Sequence, residues 1–407
     1  MSRRALLVIC QVYPPDPAAV GQHVADLAEH MASRGWRVIV YAAARGYEDP
    51  SQSYPRREYR NGVDIRRLPF SSFGKSSIAW RLLGGAVFLL QATASGLFAG
   101  RVDRVLVSTS PPFAGMGGTI LSILKRAGLI WWVMDVNPDQ MVVAGKVRAG
   151  SLAVRAFDWI NRRTLTQASA VVVLDRFMAA RIAGKLPGTG TLRVVPPWPP
   201  AGSLGSAASA GRAFRAAHGL TDKFVVMYSG NHALQHPLDT VLAAARRMAT
   251  DSRVVFVFIG GGAGKAAVNE AIAAGATNML SLPFQPLAQI DESLAAADLH
   301  VVAMGDEVVG IVHPSKIYGA MAVGRPVLFF GPESSHAGEL LADRSCGRVV
   351  SHGDVDGAVQ AIRDWLATPQ DDRLRAGQEA AAVIRDNYTR QRQLEALEAI
   401  VCDAGGR

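Results

Sequence analysis

The chain has 407 residues, 49 % hydrophobic and 19 % charged, which is enough apolar mass for two domains of ordinary size and excludes a disordered protein. Its net charge of +9 is uneven: residues 1–200 carry 25 Lys/Arg against 12 Asp/Glu, and residues 201–407 carry 18 against 22. Unless this is plain scatter of surface charge, the first half suits an anionic membrane surface or a phosphorylated acceptor; nucleic acid is disfavoured, because no zinc-ligand spacing, RNA-binding aromatic signature or basic zipper region accompanies the charge.

The N-terminus holds two Arg and a six-residue apolar run, 5–10. It reads as a strand buried on both faces of a parallel sheet, not as a signal peptide. A Pro-rich loop follows, then a helix over 20–33, with Val20, Val24, Leu27 and Met31 at helical spacing, and a strand over 38–43. Segment 78–98 is apolar, but Arg81 and Gln91 bound its uninterrupted stretch at 82–90. That is well short of the roughly 20 residues a membrane span needs. It reads as a buried or membrane-surface helix, and Arg66, Arg67, Lys75 and Arg81 favour the surface version. Further strands are predicted over 104–108, 130–134 and 170–174, with helices over 112–127 and 153–167.

Residues 194–211 are rich in Pro, Gly and Ser and read as a linker. The strand–helix pattern then restarts. Strands are predicted over 224–228, 254–259, 279–282, 299–302, 327–330 and 348–350, and helices over 237–248, 265–274 and 287–296. A terminal helix is predicted over 389–401. The expected architecture is α/β: two Rossmann-like, doubly wound domains with a cleft between them. Cys10, Cys346 and Cys402 are far apart and show no ligand spacing, so neither a disulfide framework nor a zinc site is expected, and a reducing cytosol is the default.

Five places could carry chemistry. In HPSKIYGAMAVGRPV, 313–327, Ser315 is expected to cap a short helix whose start, with the charge of Lys316, suits a phosphate or diphosphate; the competing reading is an ordinary strand–helix–strand unit. In the 13–21 loop, Gly21 lets backbone approach a ligand, although the loop is not GxGxxG; the alternative is a Pro-stiffened loop. Ser229, Gly230 and Asn231 directly follow a strand and could form an anion-binding nest, with His232 and His236 nearby. The run 259–265, IGGGAGK, lacks P-loop spacing and its Ser/Thr, and reads as a tight turn. In DVNPD, 135–139, Asp135 could hydrogen-bond or deprotonate a hydroxyl nucleophile, and Asp139 could do the same, or either could cap a helix. No Ser/His/Asp arrangement or metal cluster is evident, which disfavours covalent or metal-dependent hydrolysis.

Taken in order, YPPDPAAVGQHVADLAEHMASRGWRVIVYAA, STSPPFAGMGG, DVNPD, VVVLDRFMAARI, VVMYSGNHALQHPLDTVLAAA, VVFVFIGGG, ADLHVVAM and PSKIYGAMAVGRPVL resemble the family 4 glycosyltransferases of GT-B fold. The likeness is to the branch that builds bacterial surface polysaccharides, such as O-antigen and colanic-acid-type glycans. The resemblance implies an acceptor-binding domain over 1–198, a linker over 199–211, a nucleotide-sugar-binding domain over 212–386 and a helix over 387–407 crossing back to the first domain. It implies a retaining transfer from a nucleotide-diphosphate sugar, UDP-linked, to a lipid-linked or glycan acceptor, with no metal and no other cofactor. Under it, Asp135 and Lys316 are the catalytic candidates. Gly21, Ser229, Gly230, Asn231, Pro283, Phe284, His313, Pro314, Ser315, Lys316, Ile317 and Tyr318 are on the donor side. Tyr13, Pro14, Asp135, Asn137 and Asp139 are on the acceptor side. The expected location is cytoplasmic, peripheral at the inner face of the plasma membrane. Two departures stand out. The family's paired glutamates fall at Ile311 and Gly319, leaving Glu333 or another group to meet the ribose. Its Arg and Lys near the start of the second domain fall at Asn231 and about His236. A degenerate scaffold protein and a sugar-nucleotide epimerase are the competing readings.

Overall fold

The computed structural model describes residues 3–46, 49–71, 78–185, 191–200, 211–342 and 345–404. Most of the expected linker (201–210), Lys75 and the last three residues lie outside these. The chain forms two compact units: residues 1–196 with 393–407, and residues 197–392.

In the first unit the strands are β1 (Ala5–Ile9), β2 (Arg37–Ala43), β3 (Arg57–Arg60), β4 (Val63–Leu68), β5 (Arg104–Ser108), β6 (Gly128–Trp132), β7 (Ala170–Val173) and β8 (Leu192–Val194). They make one sheet in the order β3-β4-β2-β1-β5-β6-β7-β8, parallel except for the β3–β4 pair. The apolar run of β1 is buried throughout, because helices cover both faces of such a sheet. Strand order reverses beside β1, so the carboxyl ends of β1 and β5 form the switch point where doubly wound sheets bind ligands. The hairpin β3–β4 adds to the predicted strands. Its turn is Asn61-Gly62, both at positive φ, the conformation that a two-residue hairpin loop requires.

The second unit holds β9 (Phe224–Ser229), β10 (Val254–Ile259), β11 (Met279–Leu282), β12 (Leu299–Ala303), β13 (Val327–Phe330) and β14 (Gly347–Val350). All run parallel in the order β11-β10-β9-β12-β13-β14. The switch point lies between β9 and β12. Phe256, Phe258, Phe330, Val226 and Leu328 fill the core on one face of the sheet.

The terminal helix Arg390–Asp403 enters the first unit at Gln393. Arg104 donates to the Val401 and Cys402 carbonyls at 2.8 and 3.0 Å, satisfying acceptors that a helix end leaves open. Glu398 pairs with His30 at 2.8 Å and with Arg34 at 2.9 Å. A Cβ on Gly128 would overlap the Ala404 carbonyl. Gly128→Val is therefore expected to lower stability by about 1–3 kcal/mol through overpacking and to speed amide exchange across residues 393–404. Unchanged exchange protection there would show that the helix does not depend on this contact.

Candidate functional site

The second unit's site is built at the carboxyl ends of β9 and β10. Gly230 follows β9 with φ +132°, and a Cβ there would meet Lys316 Cε at 2.7 Å and Cδ at 3.2 Å. The lysine stem thus lies across a residue that has no side chain to obstruct it. Its ammonium sits 5.5 Å from the Tyr228 ring centroid, and Tyr228 Oη donates to the Asn231 carbonyl at 2.9 Å. Burial pulls the Lys316 ammonium down to about 8, although part of the side chain remains open to solvent. The second loop closes on the first. Gly260 has φ +124°, and a Cβ on it would overlap the Gly230 carbonyl oxygen; one on Gly262 would overlap Asn231 Oδ1. Phe284, 58 % exposed, lies over this turn, its ring 3.1 Å from where a Gly261 Cβ would stand.

Two nearby imidazoles are neutral. His232 is buried, and its Nδ1 contacts the Gly230 carbonyl at 3.1 Å. A carbonyl only accepts, so Nδ1 carries the hydrogen. Burial, then Lys265 and Lys316, hold this ring's pKa down at about 4. Burial first and then Lys316 push His236 well below the ordinary histidine value. Lys265 of the Gly-rich run donates to the Phe258 and Leu282 carbonyls at 2.7 and 2.9 Å, so it staples two strand ends. The glycines of the run are nonetheless part of the site, a role their clustering in the sequence could have suggested.

Several expectations at this site need correction. Ser315 has helical backbone angles and its side chain makes no capping bond; an effective cap requires extended backbone. The helix that follows, Lys316–Ala322, is only seven residues long, so the cationic group here is the Lys316 side chain. The expected nest is incomplete, because the Gly230 N–H donates to the Ile259 carbonyl at 2.9 Å and Ser229 ends a paired strand. Ile317 and Tyr318 are fully buried, so their side chains serve the interior. Tyr318 Oη lies 2.9 Å from His313 Nε2 and 2.8 Å from His336 Nε2. A hydroxyl has one hydrogen to give, so at least one of these imidazoles donates to it. Pro314 is buried, Pro283 is exposed and accepts from Gln285 Nε2 at 3.0 Å, and Glu333 is exposed. Ile311 is fully buried. A Cβ on Gly319 would meet Leu294 at 3.4 Å and Pro200 at 3.6 Å.

In the first unit, Asp135 follows β6 and lines a pocket with Thr109, Trp131, Asn137, Asn161 and Lys185. The Thr109 hydroxyl accepts from the Asp135 N–H at 3.3 Å. Burial raises the Asp135 carboxyl to about 6. Asn137 offers its carbonyl to Asn161 Nδ2 at 2.6 Å. Asp139 is held by Lys185 at 2.7 Å and Arg181 at 3.1 Å, which satisfies its carboxylate structurally. The 13–21 loop is also tied down: the Pro14 carbonyl accepts from the buried Arg67 at 2.8 Å. Tyr13 is buried, and burial raises its phenol pKa. A Cβ on Gly21 would stand 3.0 Å from the Val12 carbonyl oxygen, so this glycine lets the helix Ala19–Ser33 press against its own entry loop. Among the described residues, no three His, Cys, Asp or Glu side chains gather as a metal site would require.

Two family descriptions account for most of the chain: the Glycosyl transferase 4-like domain over residues 18–198 and Glycosyl transferases group 1 over residues 212–383. The chain belongs to the family 4 glycosyltransferases of GT-B fold. It is 24 % identical to WcaI of Escherichia coli strain K12, named as a colanic acid biosynthesis glycosyl transferase, over 93 % of this chain and 96 % of that one. It is 24 % identical to WbjE of Pseudomonas aeruginosa, named as a glycosyltransferase, over 74 % and 75 %. The fold resembles HepE of Anabaena, solved with UDP and glucose, at a TM-score of 0.72, 15 % identity and 98 % and 99 % coverage. It also resembles WaaG, described as a glycosyltransferase of lipopolysaccharide biosynthesis, at 0.70, 16 % identity and 96 % and 99 % coverage. The protein is accordingly a glycosyltransferase of glycan biosynthesis.

The buried cation has a measurable cost. With the Lys316 pKa near 8 in the folded chain and 10.5 ordinarily, the unfolded chain binds more protons between those values. Stability therefore rises with pH across that window. Lys316→Met is expected to stabilise the ligand-free protein by about 1–3 kcal/mol at pH 7 and to flatten the pH 8–10.5 slope in denaturant titrations. A destabilised variant would mean that the ammonium is satisfied where it lies.

Proposed function

We propose that the chain is a retaining transferase moving a hexosyl or N-acetylhexosaminyl group from a UDP-linked sugar to a lipid-linked or polysaccharide acceptor. The product is a cell-surface glycan of the O-antigen kind, and the protein works in the cytoplasm, peripherally, at the inner face of the plasma membrane. The observation that carries this reading is the Lys316 stem crossing Gly230 beside an exposed Phe284 ring. A cation next to a flat apolar surface suits a diphosphate joined to a nucleoside. Lys316 neutralises the leaving diphosphate, and the exposed Asn231 and Ser315 side chains add polar contacts. The bond from the anomeric carbon to the diphosphate oxygen breaks, the acceptor hydroxyl adds on the same face, and its proton passes to the donor's own phosphate. No enzyme nucleophile is needed. Asp135 orients the acceptor hydroxyl, ionised above about pH 6.

Lys316→Ala is expected to weaken UDP-sugar affinity by about 1.5–3 kcal/mol, the scale of a lost charge-assisted contact, measured by calorimetric titration. Unchanged affinity would remove Lys316 from the donor site. Asp135→Asn is expected to lower kcat by about 100-fold, to leave donor affinity intact and to abolish an acidic limb near pH 6 in the rate profile. Normal turnover would leave Asp135 a structural role only.

Nucleotide sugars that raise the melting point, followed by an assay for released UDP, test the activity itself. Release that depends on acceptor supports transfer. Binding without release would favour a non-catalytic scaffold, the reading that Ile311 and Gly319 motivate. A sugar-nucleotide isomer formed without acceptor would indicate an epimerase.

A further inference from the structure

Three helices of the first unit, Ile78–Leu97, Ala114–Lys125 and Leu152–Gln167, lie side by side against the sheet. Glycines in the middle helix fix the arrangement. Gly117 abuts Thr93, 2.7 Å from where its Cβ would stand; Gly115 abuts Thr164 at 2.8 Å; and Gly118 abuts Val107 of β5 at 2.6 Å. Phe113 and Phe157 pack at 4.4 Å between centroids, and Thr119 Oγ1 donates to Thr164 Oγ1 at 3.3 Å. Three sides of the middle helix are thus occupied.

The remaining side faces water and is apolar, and the neighbouring helices continue it. Leu90, Phe98, Ile123, Leu124, Leu152 and Trp159 are 56 to 87 % exposed. Several large exposed apolar side chains gathered on three adjacent helices mostly mark an interaction site. The charges on the same helices are nearly all positive. Arg126, Arg155, Arg162 and Arg163 are exposed, and the Arg163 guanidinium lies 5.4 Å from the Trp159 ring centroid. The first two helices contain no acid, and Asp158 of the third is paired with Lys185 at 3.1 Å. No helix among the described residues is long and apolar enough to cross a membrane. Apolar and aromatic side chains interleaved with unpaired arginines are the composition of a surface that lies in a lipid headgroup layer.

We infer that this three-helix face seats the first unit on the interface of an anionic lipid bilayer. The inference rests on the reading that the protein works at a membrane, and it adds which surface makes the contact. Full-length protein is sedimented with phosphatidylcholine vesicles with and without phosphatidylglycerol. The comparison is a Leu90→Glu, Ile123→Glu, Trp159→Glu triple variant, with folding checked by circular dichroism and melting temperature. The wild type should bind the anionic vesicles and lose binding in high salt, and the variant should bind about tenfold more weakly. If the triple variant does not fold, Arg162→Glu with Arg163→Glu replaces it and should abolish the salt-sensitive part. Equal binding of wild type and variant would overturn the assigned face while leaving the membrane reading intact. A wild type that binds neither vesicle would overturn both. A dimer in sedimentation velocity that the variant abolishes, without vesicle binding, would assign the face to a second copy of the chain.

Discussion

The contact between the Lys316 stem and the bare Cα of Gly230 is the constraint from which the second unit's site follows. It draws the start of the helix Lys316–Ala322 against the carboxyl end of β9, so an ammonium stands at the switch point of the sheet. Any side chain at 230 would have to move the lysine, and the positive φ already favours glycine. The same economy recurs one layer out. Gly260 and Gly262 let the turn after β10 rest on Gly230 and Asn231, which leaves Phe284 lying over the turn. Backbone approach, and not a set of long polar side chains, shapes this site.

The charge in the site follows from two residues that are not carboxylates. Where paired glutamates are expected, Ile311 is buried in the core and Gly319 packs near Leu294 and Pro200. Neither contributes a carboxylate to offset Lys316. His232 and His236 are kept neutral by burial and by the neighbouring lysines. Among the described residues at the site, Lys265 spends its ammonium on two strand carbonyls, which leaves that of Lys316 to meet an anion. The polar structure near the helix is supplied by the chain of His313, Tyr318 and His336, which holds the 313–318 turn from within.

The parallel sheets were legible because a strand covered on both faces must be apolar throughout; ALLVI of β1 and VVFVFI of β10 are such runs. The hairpin is hard to read from sequence for the converse reason. The strand REYR is half-exposed with no buried residue, so it has no apolar alternation, and only Asn61-Gly62 announced it. At the site, sequence marks Lys316 and reads the run ending in Lys265 as a tight turn, but it does not show what separates the two lysines. Lys265 and Lys316 both begin helices and both have pKa values near 8 through burial. Two strand carbonyls occupy Lys265, and those bonds depend on where β10 and β11 end in space. The missing cap at Ser315 has a similar origin, since its backbone is already helical. Asp139 looked as available as Asp135 until Lys185 and Arg181 were brought to it from 42 or more residues away.

The first unit is discontinuous in sequence, and this has a consequence for biogenesis. A ribosome makes residues 393–404 only after the entire second unit. Until then Arg104 lacks the Val401 and Cys402 carbonyls, His30 and Arg34 lack Glu398, and the backbone at Gly128 is uncovered. Of the two units, the one that emerges first is thus the last to be completed, and its nascent form must persist through the synthesis of nearly 200 further residues.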